Sequence, residues 1–390
     1  MRQTLKTRLD NDPQLWRPTG LPPGPVQTAL IGVSAAKPVM ASFIENHPQI
    51  SVKQVAFVDY KKSTSPSKIL FKNISGATEV IVGDIKSLVA SSHLAKIFIA
   101  CGDYKLDRRA AGKVGRFLAA AGFPGFIFGG RYNFNQSRFY DPEFFNKHES
   151  RLEAVYSLLA DDLSRSILVG LVKARLTDDC GYIPISSYEE YFHPALKITK
   201  NEQIIDGGVS GNLAETLKFS NKVGPSGSVV GFEPNFTAYE TALAGLAKRE
   251  VNNVHLVNLG LWHEIDSLPF VGNGMGAHLL SPAEGSDNSL NEEEALNQVT
   301  CRLTSLDTYC LENKLLPSVI KLDVEGSELA ALRGAEGVIR EKKPKLIICL
   351  YHKEMDFIEI IEWLAQLRIG YQFFLGHHFI NDYETILYAM

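Results

Sequence analysis

Cysteine is scarce, with five residues in 390: Cys101, Cys180, Cys301, Cys310 and Cys349. None stands in CxxC spacing and the count is odd, which excludes a disulfide scaffold and a zinc ribbon and fits a reducing cytoplasm. Long apolar runs are missing. No stretch approaches the roughly 20 residues that cross a bilayer, so no membrane span is expected. The start, MRQTLKTRLDNDPQLW, lacks the apolar core of a signal peptide, and a cytoplasmic location is the expectation. Positive charge is not in excess: 40 Lys and Arg face 44 Asp and Glu, a net charge of −4. A nucleic-acid binder working through bulk positive charge is therefore not expected. What is present is ordinary for a globular chain: 45% hydrophobic, 22% charged and 10% aromatic residues. Disorder and fibrous classes fall away, and the length suggests two or three domains.

Residues 1–27 are a polar lead-in that ends in RPTGLPPGP, too rich in proline and glycine to offer a packing face. From Thr28 short apolar strands alternate with helices. TALIGVS, Val52–Asp59 and Lys96–Cys101 read as strands, as does Gly125–Phe128. Helices are expected at Pro38–Asn46, Ser87–Ala95 and 107–121, and KKSTSPSK is a polar loop. The alternation predicts a small Rossmann-like α/β domain over 28–135. Residues 136–201 form a helical connector. Its stretch Glu149–Arg175 carries apolar residues at three-four spacing, hence one greasy face.

A clearer α/β unit runs over 202–390. Strands are expected at Gln203–Asp206, Ser228–Glu233, Val254–Asn258, Ser318–Asp323 and Lys345–Tyr351. Helices are expected at Asn212–Lys222, Asn235–Arg249, Ser327–Arg340 and Phe357–Leu367. Tyr371–Leu375 and Glu384–Tyr388 would close the sheet as an antiparallel hairpin at its edge, a mixed doubly wound arrangement. Residues 272–298 are polar, without a period, and read as a loop or insertion.

Three sequence elements carry chemistry. The first is Asp206-Gly207-Gly208-Val209-Ser210-Gly211-Asn212, where a strand gives way to a helix. Glycines let the backbone turn sharply there, and free helix N–H groups face a ligand, although any tight strand-to-helix turn needs glycine too. The second is Glu233, in VVGFEPN, 25 residues beyond Gly208. An acid at the tip of the second strand can accept hydrogen bonds from ribose hydroxyls, or simply cap the next helix. Pro234 sets the backbone and Asn235 is a helix cap. The third is Lys321-Leu322-Asp323-Val324-Glu325-Gly326-Ser327-Glu328. Asp323 and Glu325 would lie at the carboxyl end of a strand beside the first one, where a general base is useful. Ser327 and Glu328 would start the following helix.

The blocks IIDGGVSGNLAETLKFS, VVGFEPN, VNLGLW, LTSLDTYC, IKLDVEGSELAALRGA and LIICLYHKEMDFIEIIEWLAQLRIGY resemble the FkbM family of S-adenosylmethionine-dependent methyltransferases over residues 202–390. The resemblance implies a class I methyltransferase fold, S-adenosyl-L-methionine as cofactor and methyl transfer to an acceptor oxygen. It implies that Asp206, Gly207, Gly208, Gly211 and Asn212 line the methionine end. Glu233 would hold the ribose, flanked by Pro234 and Asn235, and Asn258, Gly260 and Leu261 would lie near the adenine or the acceptor. Gly208 departs from the family, which commonly has a small apolar residue there; a looser turn is expected. The acceptor would be a small molecule or glycan: a sugar, a polyketide or a lipid-linked glycan.

His352, after the fifth strand, is the histidine best placed for proton removal, so Asp323, Glu325 and His352 form the catalytic set. No metal is expected. His377-His378 lack a carboxylate or cysteine at ligand spacing, and Trp262 and Trp363 read as packing residues. The amino-terminal turn, Gly32-Val33-Ser34-Ala35-Ala36-Lys37-Pro38, lacks GxGxxG, though Asp59 stands where a ribose acceptor would. That domain resembles the small Rossmann-like domains in front of sugar-modifying enzymes. It would bind a nucleotide or nucleotide-sugar, or serve as a scaffold or homodimer contact. Two rival functions remain: an NAD-dependent oxidoreductase built on the amino-terminal fold, and a catalytically silent assembly protein.

Overall fold

A computed structural model describes residues 4–10, 26–32, 50–57, 67–73, 76–83, 96–100, 126–129, 144–177, 182–271, 278–279, 299–379 and 384–390. Contacts divide the chain into two compact units. One comprises Met1–Ser157, Arg165–Ile185 and Phe379–Tyr383; the other comprises Leu158–Ser164, Ser186–His378 and Glu384–Met390.

The first unit holds a six-stranded sheet: β1 (Val26–Gly32), β2 (Ile50–Phe57), β3 (Ser67–Asn73), β4 (Gly76–Gly83), β5 (Lys96–Ala100) and β6 (Phe126–Gly129). Their order is β3-β4-β2-β1-β5-β6. β1, β2, β4, β5 and β6 run parallel to one another, and β3 pairs antiparallel with β4. The β3–β4 pair extends the sheet beyond the expected strands. The β3 stretch, SKILFKN, begins within the lysine-rich segment that reads as a loop. The helices expected at Pro38–Asn46, Ser87–Ala95 and 107–121 lie outside the described residues, as do Asp59 and the turn after Gly32.

The connector stretch forms two helices, Phe144–Leu158 and Asp162–Thr177, rather than one. Asp161 marks the break, where its side chain accepts from Ser164 N at 2.8 Å and starts the second helix. The helix Leu5–Asp10 is capped in turn by Glu153, whose carboxylate accepts from Leu5 N and Lys6 N.

The second unit is built on seven strands: β7 (Gln203–Gly207), β8 (Ser228–Phe232), β9 (Val254–Val257), β14 (Val319–Leu322), β15 (Lys345–Cys349), β16 (Phe373–His377) and β17 (Thr385–Ala389). The order is β16-β17-β15-β14-β7-β8-β9. β17 runs antiparallel to both neighbours, so the last strand slots between β15 and β16 and the expected closing hairpin is present. Strands buried on both faces read as unbroken apolar runs, which is why IIDG, VVGF and LIIC lack alternation. Val319, Ile204 and Val229 stand side by side across three strands and join Phe219, Ile347 and Tyr388 in one apolar cluster.

A smaller four-stranded sheet, β10 (Gly260–Leu261), β11 (Asp266–Val271), β12 (His278–Leu279) and β13 (Val299–Thr304), has the order β10-β13-β11-β12. Apart from β12, the polar 272–298 segment lies outside the described residues. The helix expected over Ser327–Arg340 is broken into Glu328–Arg333 and Glu336–Lys342. At the break, a Cβ on Gly334 would meet Trp262 O at 2.0 Å, so the backbone passes where only glycine fits. Asp307 then accepts from Gly337 N and Val338 N, both at 2.8 Å, at the start of the second piece.

Candidate active site

The sheet order reverses between β7 and β14. Successive strands run outward through β8 and β9 on one side and through β15 on the other. In doubly wound sheets ligands bind at the carboxyl ends of the strands flanking such a switch point. Asp206 and Gly207 end β7, Glu233 follows β8, Asp323 follows β14, and His352 lies three residues beyond β15.

The turn after β7 is held from below. Lys321 lies opposite Asp206 in the β7–β14 register and is buried. Its Nζ is 3.0 Å from Asp206 Oδ1 and donates to the carbonyls of Gly207 at 3.2 Å and Gly208 at 2.9 Å. Thr216 Oγ1 donates to the other Asp206 oxygen at 2.7 Å, tying the helix Ala214–Val223 to the same group. Burial alone would depress the Lys321 ammonium; Asp206 and Asp323 more than offset this and raise it. The Asp206 side chain is fully buried, so it serves the turn and offers a ligand no exposed oxygen.

Gly208 has φ +81°, and a Cβ there would sit 1.8 Å from Asp323 O. The extra glycine does not slacken the bend. It lets the Asp323 backbone close over it, with Asp323 N donating to Gly207 O at 3.0 Å. Gly211 is different: its nearest neighbour is 3.6 Å away, so packing alone does not demand glycine. Asn212 is exposed, and its side chain accepts from Ser210 Oγ and Ala214 N, starting the helix two residues later than expected.

Glu233 is half-buried, with one carboxylate oxygen accepting from Asn235 N at 2.8 Å. Burial pushes its carboxyl up to about 7 despite that bond and the nearby Lys321. Asn258 Nδ2 donates to the carbonyls of Glu233 and Pro234 and so fixes the turn that presents this acid. Asn235 accepts from Ala238 N at 3.1 Å, capping the helix Phe236–Lys248. Gly260 stands against Pro234, and Leu261 is buried beneath Gly207.

Beyond β14 three carboxylates gather around one imidazole. Asp323 accepts from Tyr191 at 3.0 Å and Tyr351 at 3.1 Å. Its Oδ2 lies 4.0 Å from Lys321 Nζ. Burial would raise Asp323, but Lys321 and His352 prevail and hold it below the usual carboxylate range. Glu325 takes a left-handed φ of 52° before Gly326 at +94°. Such a conformation is costly for a side-chain-bearing residue and clusters at functional sites. Glu328 is fully buried, and its Oε1 accepts from Val324 N at 2.9 Å and meets His352 Nδ1 at 2.8 Å. The helix start therefore uses Glu328; Ser327 makes no side-chain cap bond. His352 Nε2 lies 3.6 Å from Asp323 Oδ1 and 3.4 Å from Glu325 Oε2. Burial would lower the imidazole, yet Glu328, Asp323 and Glu325 raise it to about 10. His352 is thus a cation at neutral pH and not a free base.

The sequence brings Asp323, Glu325 and His352 to notice, and the structure brings them together. It adds Lys321, Tyr191, Tyr351 and Glu328. Lys321 carries a visible signal, a lone charge inside the apolar strand SVIKLD; the tyrosines carry none. The His377-His378 pair makes ordinary contacts: His377 Nδ1 meets Thr385 Oγ1, and His378 Nε2 meets Tyr388 Oη. Cys301, Cys310 and Cys349 are free thiols.

The strand order, the lone antiparallel strand of the large sheet and the acid after β8 define a class I methyltransferase-like fold. Residues 206–373 match the model of the methyltransferase FkbM domain. A crystal structure of methyltransferase FkbM from Methylobacillus flagellatus KT aligns over 99% of this chain and 97% of its own, with TM-score 0.60 and 19% identity. An rRNA methylase from Streptococcus thermophilus aligns over 49% of this chain and 87% of its own, with TM-score 0.31 and 13% identity. Aeropyrum pernix fibrillarin, solved with natively bound S-adenosyl-L-methionine, aligns over 50% of this chain and 69% of its own, with TM-score 0.31 and 12% identity. Among curated proteins, none matches the sequence. Among the described residues no helix is long and apolar enough to cross a membrane.

Proposed function

We propose that the second unit is an S-adenosylmethionine-dependent O-methyltransferase acting on a hydroxyl of a sugar, glycan or secondary metabolite in the cytoplasm. The observation that carries this is the pairing of the Gly208 bend with Glu233 at the switch point. Glu233 is a half-buried acid held near neutrality, ready for the two hydroxyl donors of a ribose. Gly207, Gly208, Gly211 and Asn212 would face the methionine end, with Asp206 acting through the turn. Pro234, Asn235 and Asn258 would set the ribose and adenine side, and Gly260 and Leu261 its floor. When bound, the sulfonium supplies a methyl group already activated for in-line transfer.

The remaining work falls to this chain's own side chains. A sulfonium loses its charge on transfer, so an anion held rigidly nearby must not over-stabilise the reactant. Asp323 has its charge spread over Lys321, Tyr191, Tyr351 and His352, which meets that need. A base must take the acceptor proton. Asp323 is held low and His352 is already protonated, which leaves Glu325, with its side chain 37% exposed, for that role. The amino-terminal sheet, over about 28–135, would bind a nucleotide-sugar or pair two copies of the chain. Calorimetry with S-adenosylmethionine and S-adenosylhomocysteine tests the assignment: one site per chain is expected, and absence of heat and of any melting shift would refute it.

A further inference from the structure

The methionine end of S-adenosylmethionine carries an α-ammonium, and the bend that would face it has few acceptors left. Asp206 is fully buried, with Lys321 Nζ 3.0 Å from one carboxylate oxygen and Thr216 donating to the other at 2.7 Å. Gly207 O accepts twice, from Lys321 Nζ at 3.2 Å and from Asp323 N at 3.0 Å, which occupies both lone pairs of a carbonyl. Gly208 O accepts from Lys321 at 2.9 Å. The turn after β7 thus commits its anion and most of its carbonyl capacity to itself. An ammonium is a cation with three donors, so its anion has to come from elsewhere.

Asp323 stands over the same bend. Its carbonyl oxygen would meet a Cβ on Gly208 at 1.8 Å, and its N–H is bonded to Gly207. Its side chain is 24% exposed, and Lys321 and His352 keep the carboxyl ionised. Tyr191 donates to Oδ2 at 3.0 Å and Tyr351 to Oδ1 at 3.1 Å. An ionised carboxylate has about four acceptor sites, so the phenols fix its plane and leave both oxygens with room for another donor. The other acids are placed differently. Glu328 is fully buried and bonded to Val324 N and His352 Nδ1. Glu325 Oε2 lies 3.4 Å from His352 Nε2, and Glu233 follows β8, on the far side of β7.

We propose that Asp323 is the anion that receives the α-ammonium of the cofactor's methionine, with Tyr191 and Tyr351 as positioning residues that fix its two oxygens. The inference rests on the methyltransferase assignment and gives Asp323 a binding role in place of a proton-accepting one. Methyl transfer leaves the ammonium unchanged. The contact therefore holds S-adenosylmethionine and S-adenosylhomocysteine alike, and it secures the ligand without opposing the loss of charge at sulfur.

The test is calorimetry on the full chain with S-adenosylmethionine, S-adenosylhomocysteine, the S-adenosylhomocysteine analogue that lacks only its α-amino group, and 5′-methylthioadenosine, which lacks the whole amino acid. The wild type should bind the deaminated analogue roughly 10–100-fold more weakly than S-adenosylhomocysteine, the effect of one charged hydrogen bond. Asp323→Asn should weaken S-adenosylmethionine and S-adenosylhomocysteine by similar factors and leave 5′-methylthioadenosine unchanged. It should also cease to distinguish S-adenosylhomocysteine from the deaminated analogue. Where Asp323→Asn does not fold, Tyr351→Phe is read in the same way, with a smaller loss. A loss confined to S-adenosylmethionine would set Asp323 against the sulfonium and overturn the proposal. So would a variant that still rejects the deaminated analogue, or a wild type indifferent to the missing amine. If the wild type binds none of the four ligands, the methyltransferase assignment falls with it. If it binds them and Asp323 does not read the amine, this inference alone falls.

Discussion

Two groups of charges meet at the carboxyl end of β14, two residues apart at Lys321 and Asp323, and behave in opposite ways. Lys321 and Asp206 are sealed below the turn, and the ammonium meets two carbonyls as well as its carboxylate. Asp323, Glu325 and Glu328 gather around a single imidazole, and Asp323 and Glu325 keep part of their side chains exposed. The first group is closed, and a closed buried pair holds shape. The second is open, and an open one is available to a ligand. The difference comes from position along the chain: Lys321 is still within β14, whereas Asp323 lies beyond its last residue, Leu322, where the chain leaves the sheet.

Removing the lysine should break the comparison most severely. Lys321→Met leaves Asp206 buried without a counter-charge, and unfolding by denaturant should show a loss of about 3–5 kcal/mol. The double variant with Asp206→Asn should recover a measurable part of it. Equal losses in the single and double variants would mean that the pair is not closed in the sense described. Gly208→Ala comes next. It must adopt a left-handed φ and push Asp323 O away from 1.8 Å, so a loss of roughly 1–3 kcal/mol is expected, together with weaker cofactor binding. Gly211→Ala is the internal control. With nothing nearer than 3.6 Å, its stability should stay within about 0.5 kcal/mol of the parent.

These expectations also show what could be seen in the chain alone. Glycine and a terminal acid mark strand ends because backbone geometry and ligand chemistry act within a few residues. The Asp206–Asn212 bend and Glu233 were therefore legible, as was the closing hairpin around β17. The β3–β4 pair was not, because SKILFKN carries lysines that look like loop until it has a partner strand. One helix was expected over Ser327–Arg340, because Gly334 breaks it only by meeting Trp262 from a distant segment. His352 drew attention for its pKa near neutrality. Its partner Glu328 is 24 residues away, and that pairing turns a base into a cation. The turn was local and the cluster is tertiary, which is why one was foreseen in detail and the other only in its members.

Glu233 sharpens the contrast from the cofactor side. Glu233→Ala removes a charged acceptor from the proposed ribose contact and should weaken S-adenosylmethionine binding by about 1–3 kcal/mol in calorimetry. Stability should not fall by a comparable amount, because a carboxyl raised by burial costs the fold something when ionised. An unchanged dissociation constant would take Glu233 out of the site.

The smallest effect is the most specific. The groups that act on Glu233 are Asn235 N and Lys321, which favour its charged form, and Glu325 and Asp206, which oppose it; burial outweighs them and the carboxyl stands at about 7. Because this lies above the ordinary 4.5, the folded protein holds a proton that the unfolded chain has released between those two values. Ribose hydroxyls donate to the ionised form, so below about 7 binding must first expel that proton. Affinity should therefore rise with pH, by roughly tenfold between pH 6 and pH 8, as the ionised fraction climbs from about a tenth to about nine-tenths. Calorimetry in buffers of different ionisation enthalpy would show the released proton directly. In Glu233→Gln the slope should vanish. If it persists, the titrating group belongs to the cluster around His352, which Asp323 joins to Lys321 at 4.0 Å.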